Sequence, residues 1–293
     1  MTASLVTPSI CSLPEKSWQA SLSLRFSRRG SQSSPKNALV SALHQGPLRV
    51  QRAFYPEGPL VPHIYLLHPP GGVVAGDSLA IDIHVDESSH GLITTPSAGR
   101  VYRTNDQGLP QTQRVTAQVE SNAVLEWLPQ ENIVFNGANG YNQTKIRLQP
   151  GAHLMAWDIV CLGRVVGDEP FEAGCFTQSL EIFQEDQLAL VERISINGDD
   201  GFIDSPWGLQ GFTVFGTFVS NIQHDELLQH LKQNLQCVHG DFRLAFTQKQ
   251  GFLICRYLGH SAQQARHLFS QAWQRIRPYK IDRAGCEPRI WHT

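Results

Sequence analysis

From Trp18 the chain alternates in period two. Trp18, Ala20, Leu22, Leu24 and Phe26 fall on one face of an extended segment, and Gln19, Ser21, Ser23 and Arg25 on the other, which is the signature of a half-buried strand. Comparable runs recur at LRVQRAF, HIYLL, LAIDIHV, GLITTP, QRVTAQVE, AVLEWLP, QTKIRLQ, SLEIF, LALVERISI and FTVFGTFV, parted by Gly, Pro, Asn or Asp turns. Short strands in succession with little helix between them predict a mainly β, extended architecture. No fixed-period repeat is visible, so similarity between segments gives no support for a repeat-built solenoid.

The last quarter changes period. Leu227, Leu228, Leu231, Leu235 and Val238 fall at helical spacing. Ser261 and Gln264 form a capping box ahead of Ala265, Leu268, Phe269, Ala272 and Ile276, a second helix predicted to end at Pro278. DFRLAFT and GFLICRYL, flanking Gln248 to Gly251, read as a hairpin between the helices. The predicted organisation is a flexible extension over 1–17 and one domain over 18–293, with a β-rich body at 18–220 and a helix, hairpin, helix part at 221–293.

Composition narrows the function classes. With 24 Lys+Arg against 26 Asp+Glu, net charge -2, the chain has no electrostatic footprint for nucleic acid. No apolar run approaches the ~18 residues that span a membrane, and the first residues lack the basic-then-apolar pattern of a signal peptide. Cys11, Cys161, Cys175, Cys237, Cys255 and Cys286 are scattered without CxxC spacing. They fit buried free thiols in a reducing cytoplasm better than a zinc site or a disulfide scaffold.

The stretch HPPGGVVAGD, His68 to Asp77, has the glycine spacing of a phosphate-binding P-loop, but Asp77 stands where that loop carries Lys. A carboxylate there repels phosphate, and a strand follows rather than the helix an anion needs. Asp77 is therefore either a turn carboxylate accepting backbone N–H bonds or a functional acid. Asp158 in LMAWDIVCLG and Glu192 in LALVERISI are acids among residues that ought to be buried, so each needs a partner or water. The plain structural reading pairs them with Arg164 or Arg193. The twelve His include no HxH or HxxxH pair, so no stable metal site is predicted.

Taken together, GPLRVQRAFYPEG (46–58), YLLHPPGGVVAGD (65–77), LITTPSAGRVYRT (92–104), EWLPQENIVFNGA (126–138), AWDIVCLGR (156–164), LVER (190–193) and PRIWHT (288–293) resemble, in order, the urease accessory proteins called UreD or UreH. Gly99 is a departure at a place where the family commonly carries a small hydroxyl or another small residue, so no hydroxyl role carries over there. The resemblance implies a β-helix-like fold with a few helices and a non-enzymatic scaffold within a hetero-oligomeric complex. Its partners would be apo-urease, UreF and the GTPase UreG, with no nucleic acid and no membrane. No cofactor would be tightly bound, and Ni²⁺ would be in transit through an acid-lined tunnel. Carried onto this sequence, the tunnel residues are Asp77, Asp158 and Glu192, with Ser97, Arg100 and Tyr102 at its mouth, Glu131 as a further acid, and His68 as either a ligand or a hydrogen-bonded loop histidine. Carboxylates and water suit such transit, because thiolates and clustered imidazoles hold nickel too firmly to release it.

Two other readings compete. An all-β carbohydrate-active enzyme would use two of Asp77, Asp158 and Glu192 as acid and base or nucleophile. A docking protein without a metal path would need none of them.

Overall fold

A computed structural model describes residues 17–292 apart from 32, 33, 165, 166 and 168; the expected extension over 1–17 lies, except for Ser17, outside the described residues. The chain winds back and forth between two sheets. β1 (Gln19–Ser31), β5 (Ser78–Val85), β8 (Gln111–Val119), β11 (Ala138–Leu148) and β13 (Gly174–Gln184) lie in the first sheet. Alternating with them along the chain, β4 (His63–Leu67), β6 (His90–Thr94), β9 (Val124–Trp127) and β12 (His153–Leu162) lie in the second. Within each sheet these strands run parallel to their neighbours. Each turn of the chain therefore stacks on the last, and the fold is a β-helix-like coil.

Antiparallel strands finish the coil. β2 (Ser34–Gln45) and β14 (Gln187–Asn197) close the edges of the first sheet. β3 (Arg49–Val50) pairs with β4, while β15 (Val214–Ser220), β17 (Phe252–Gly259) and β16 (Arg243–Lys249) extend the second sheet beyond β12. The hairpin predicted in the last quarter is thus a continuation of the body's own sheet. Two short strands, β7 (Gly99–Val101) and β10 (Asn132–Val134), form a parallel ladder that joins the distal end of β12.

The two sheets differ in pattern because they differ in cover. β11 is buried at every second residue, one face inward and one open. Strands β6 and β9 are buried at every position, as strands covered on both faces are. Leu24, Phe26, Ile83, Val119, Ile146 and Val160 fill the space between the sheets. On the outer face of the second sheet, Trp157, Ile159 and Phe218 pack against Leu231 of helix α1 (Asp225–Leu235) and Phe269 and Trp273 of helix α2 (Ala262–Ile281). Stacking needs matching strand lengths and inward apolar residues, not identical ones, so a coil forms without a sequence repeat.

Three details of the helices depart from expectation. Ser261 Oγ accepts the Gln264 N–H at 3.1 Å, but the Gln264 side chain accepts from Tyr257 Oη instead of returning to the cap, so only half of the capping box forms. Helix α2 runs past Pro278 to Ile281. Proline removes one N–H but not its carbonyl, and Asp282, in the left-handed region at φ 52°, donates its N–H to Pro278 O to close the last turn. Val238 lies beyond α1 and is exposed.

Candidate functional site

The second sheet has a break at its centre. Along one edge, β12 pairs with β9 through His153 to Ala156 and with β10 through Val160 to Leu162; residues 157–159 fall in neither ladder. The link from β9 to β10 leaves the sheet here, tied by Trp157 Nε1–H to Pro129 O at 2.7 Å and by Gln130 N–H to Thr95 Oγ1 at 2.9 Å. The link from β6 to β7, Thr95 to Ala98, departs at the same level and lines the same cavity. Asp158 sits opposite the break, in phase with Ala156 and Val160, both of which belong to the core between the sheets. Its carboxyl therefore occupies a position that alternation reserves for an apolar side chain.

The facing sheet supplies a polar row at that level. Gln113, Asn142 and Gln178 are direct neighbours across β8, β11 and β13. Gln113 Nε2–H donates to Asn142 Oδ1 at 3.3 Å, and Asn142 Nδ2–H to Gln178 Oε1 at 2.9 Å. The row ends unsatisfied: Gln178 Nε2, Trp127 Nε1 and Asp158 Oδ2 are buried without a hydrogen-bond partner. Gln178, Thr144 and Trp127 face the Asp158 carboxyl, yet desolvation outweighs them and raises its pKa from 3.8 to about 7. Buried orphans of this kind call for water or a cation.

Room for both exists on either side of Asp158. One cavity of about 110 Å³ lies between the sheets and is lined by His68, Arg100, Gln113, Gln130, Asn142 and Asp158 among others. A second, of about 500 Å³, is lined by Asp158, Gln178, Glu192, Thr217 and Arg256 among others. Asp158 is shared by the two. Thr217 on β15 is opposite Asp158, and Arg256 on β17 is opposite Thr217, so the second cavity leads across three strands to Glu192.

The sequence-predicted residues divide accordingly. Asp158 and Glu192 share the second cavity; Ser97, Arg100 and His68 line the first, with Arg100 donating to Gly71 O at 3.3 Å. Burial lowers the His68 pKa against the opposing pull of the Asp77 charge, so its ring, with Nε2 unpaired, is neutral at neutral pH. Asp77, Tyr102 and Glu131 line neither cavity. Asp77 accepts the N–H of Trp18 at 2.7 Å and of Val74 at 2.9 Å, and so locks β1 to the glycine loop as a turn carboxylate. Tyr102 packs against Phe135 with the rings tilted at 43° and their centroids 5.0 Å apart, and Glu131 pairs with Arg266 at 3.1 Å. The expected ion-pair partners were also different ones. Glu192 is held in a fork by Arg256, with Nε to Oε2 at 2.9 Å, while Arg164 pairs with Glu169 and leaves Asp158 without a cation.

Gly99 has a structural reason of its own. A Cβ there would stand 2.4 Å from Asn132 Oδ1, another residue of the first cavity. The amides Gln113, Asn142 and Gln178 were not singled out from sequence, although a signal existed. In each of their strands they share the phase of the buried residues that follow, as Gln113 does with Val115 and Ala117.

Among the described residues no three His, Cys, Asp or Glu side chains converge into a metal cage, and no helix is long and apolar enough to cross a membrane. By fold and site the chain is a parallel β-coil whose sheets are bordered by two cavities that share one buried acid, Asp158. Residues 19–292 match the family described as UreD urease accessory protein. Similar proteins include the urease accessory protein UreD of Hahella chejuensis, 38% identical over 95% of this chain and 91% of its own length. The UreD of Psychromonas ingrahamii is 38% identical over the full length of both, and that of Dechloromonas aromatica 40% identical over 94% of this chain and 95% of its own. The chain belongs to the UreD family of urease accessory proteins, and its role lies in urease maturation.

Proposed function

We propose that the chain conducts Ni²⁺ through the seam between its sheets, from one cavity past Asp158 into the other, on the way to apo-urease, and that it does so in a complex with UreF and UreG. The observation that carries this reading is a buried carboxyl shared by two cavities, with Oδ2 unpartnered and with the unpartnered N–H groups of Gln178 and Trp127 at the same level. Water, amide oxygens and one carboxylate form a set of hard oxygen ligands, which bind a divalent first-row cation less firmly than imidazole or thiolate and so let it go.

Asp158 supports exchange rather than storage. With its pKa raised to about 7, the carboxyl is about half protonated at neutral pH. An arriving cation stabilises the carboxylate, the proton leaves to water, and departure of the cation reverses the step. Glu192 can act as the next ligand only when it exchanges Arg256 for the cation. The pair is partly exposed, with side chains 46% and 22% accessible, so that exchange is inexpensive. The same occupancy weighs against the glycosidase alternative, whose second carboxylate must be free to act.

The test is urease co-expressed with its accessory proteins and the Asp158→Asn variant of this chain. Nickel-poor, weakly active urease with the variant still captured in the accessory complex is the expected result. Normal nickel content in that urease rejects the proposal.

A further inference from the structure

Far from the seam, where the strands turn at the edge of the coil, a separate cavity of about 170 Å³ is lined by Arg28 of β1, Asn37 of β2, Ser88 and His90 around the β5–β6 turn, Asn122 of the β8–β9 turn, and Arg283 just beyond α2, among others. At about 30 Å³ per water it has room for a small tetrahedral ion. None of its lining residues is acidic. Glu87 and Asp282 are chain neighbours of lining residues but do not themselves line the cavity, and Asp86 of the same turn is taken by Arg25 at 2.9 Å and His84 at 3.2 Å. His90 Nε2 is likewise engaged by Glu126. Among the described residues neither the exposed side chain of Arg28 nor the half-buried one of Arg283 makes an ion pair or side-chain hydrogen bond. Two guanidiniums from distant parts of the chain thus border one cavity without an anion of the protein between them.

Asn37 adds a second, independent constraint. The residue is 4% exposed, and its Nδ2–H donates to Leu60 O at 2.6 Å, which fixes the orientation of the amide. Oδ1 is buried with no donor. A cavity bordered by two guanidiniums without ion pairs and by a buried carbonyl oxygen without a donor suits an anion that also carries an O–H, which satisfies both at once where water satisfies only the oxygen. Sulfate meets the first requirement only. A phosphate monoester loses its last proton near a pKa of about 6, so at pH 7.5 it too lacks the donor.

We infer that this cavity is a binding site for inorganic hydrogen phosphate, with Arg28 and Arg283 holding its charge and Asn37 Oδ1 accepting its hydroxyl. The site is independent of nickel conduction, since it shares no lining residue with either cavity of the seam.

Isothermal titration of the full chain with inorganic phosphate, sulfate and glycerol phosphate at pH 7.5 tests the assignment. Saturable one-to-one binding of phosphate is expected, with sulfate and the ester at least about tenfold weaker, as loss of a buried hydrogen bond dictates. Arg28→Gln and Arg283→Gln should each weaken phosphate about tenfold or more without changing the thermal melt in phosphate-free buffer. Absence of saturable phosphate binding overturns the inference. So does equal affinity for sulfate, which needs no folded variant to observe, and so does undiminished phosphate binding to the double variant.

Discussion

Glu126 and Asp158 are acids buried on neighbouring strands of one sheet, and they face opposite ways. Glu126 on β9 points to the helices, where His90 Nε2 at 2.6 Å, Trp273 Nε1 at 2.6 Å and Arg277 at 3.0 Å surround it. Arg277 in turn reaches Glu57, which His63 also contacts at 2.8 Å. That network outweighs desolvation and holds the Glu126 pKa down at about 2. Asp158 on β12 points into the coil, meets no cation, and titrates near 7. Burial alone does not set the charge of an acid; satisfaction of its oxygens does. Glu126 fastens α2 to the body, whereas Asp158 keeps one oxygen without a partner, as the proposed conduction of Ni²⁺ requires.

Removing the satisfied acid should have the largest effect. Glu126→Ala leaves Arg277 buried with half of its partners, and loss of one member of such a network costs about 3–5 kcal/mol, read as a large fall in the denaturation midpoint. A variant as stable as the parent would mean that the network is not what holds α2.

Asp158→Asn should act in the reverse direction on stability. Because the folded-state pKa lies above the unfolded value, Asp158 binds its proton more tightly in the folded chain, and stability declines as pH rises from about 4 to 7. At pH 8 the variant is expected to be more stable, by up to about 4 kcal/mol for a group moved from 3.8 to about 7, with a flatter pH profile through that window. Glu126 has the opposite linkage: its folded-state pKa is depressed, so its contribution is present above about 4.5 and fades as pH falls toward 2. Denaturant titrations at pH 4, 6 and 8 separate the two. An Asp158→Asn profile parallel to the parent's would contradict the raised pKa.

Smaller effects sharpen the same contrast. Gln178→Leu removes the unpaired amide facing Asp158; urease activation should fall by several-fold while stability changes by about 1 kcal/mol or less, since an orphan donor is lost along with a partner for Asn142. Activation at the normal rate would show that the amide row is only packing. Arg256→Ala should cost least, about 0–1 kcal/mol for a half-exposed pair, and should leave activation unchanged or faster because Glu192 is freed. Slower activation would mean that the arginine orders the passage instead of closing it.

Period-two alternation made the coil's strands readable, and the apolar setting of Asp158 and Glu192 marked them as exceptions. What surrounds them was harder to read. Glu126 meets Arg277 across a separation of 151 residues, and no local pattern predicts that pairing. Glu192 was expected to find its neighbour Arg193, but adjacent strand residues point to opposite faces, and Arg256 reaches it from the other sheet instead. From sequence Asp77 reads either as a turn carboxylate or as a functional acid, and its bonds to Trp18 and Val74 are those of the first. The loop is distinctive for backbone reasons: Gly71 and Gly76 take φ of 78° and 83°, and Asp77 fastens the turn they make. The amide row was visible as polar residues in the phase of the core, but it becomes a row only when three strands stack in register, and stacking is a property of the coil rather than of any one segment.

The gap beside residues 157–159 also has a consequence in time. β12 lies deep in its sheet, covered by helices on one face and by the coil on the other, and its amide protons should be among the last to exchange with deuterated solvent. Where the ladder to β9 has ended and that to β10 has not begun, the amides of 157–159 that face this edge have no strand partner, although the ladder to β15 runs on unbroken along the other. The slowest strand of the molecule should therefore contain a short, fast-exchanging window, open while the fold around it remains closed.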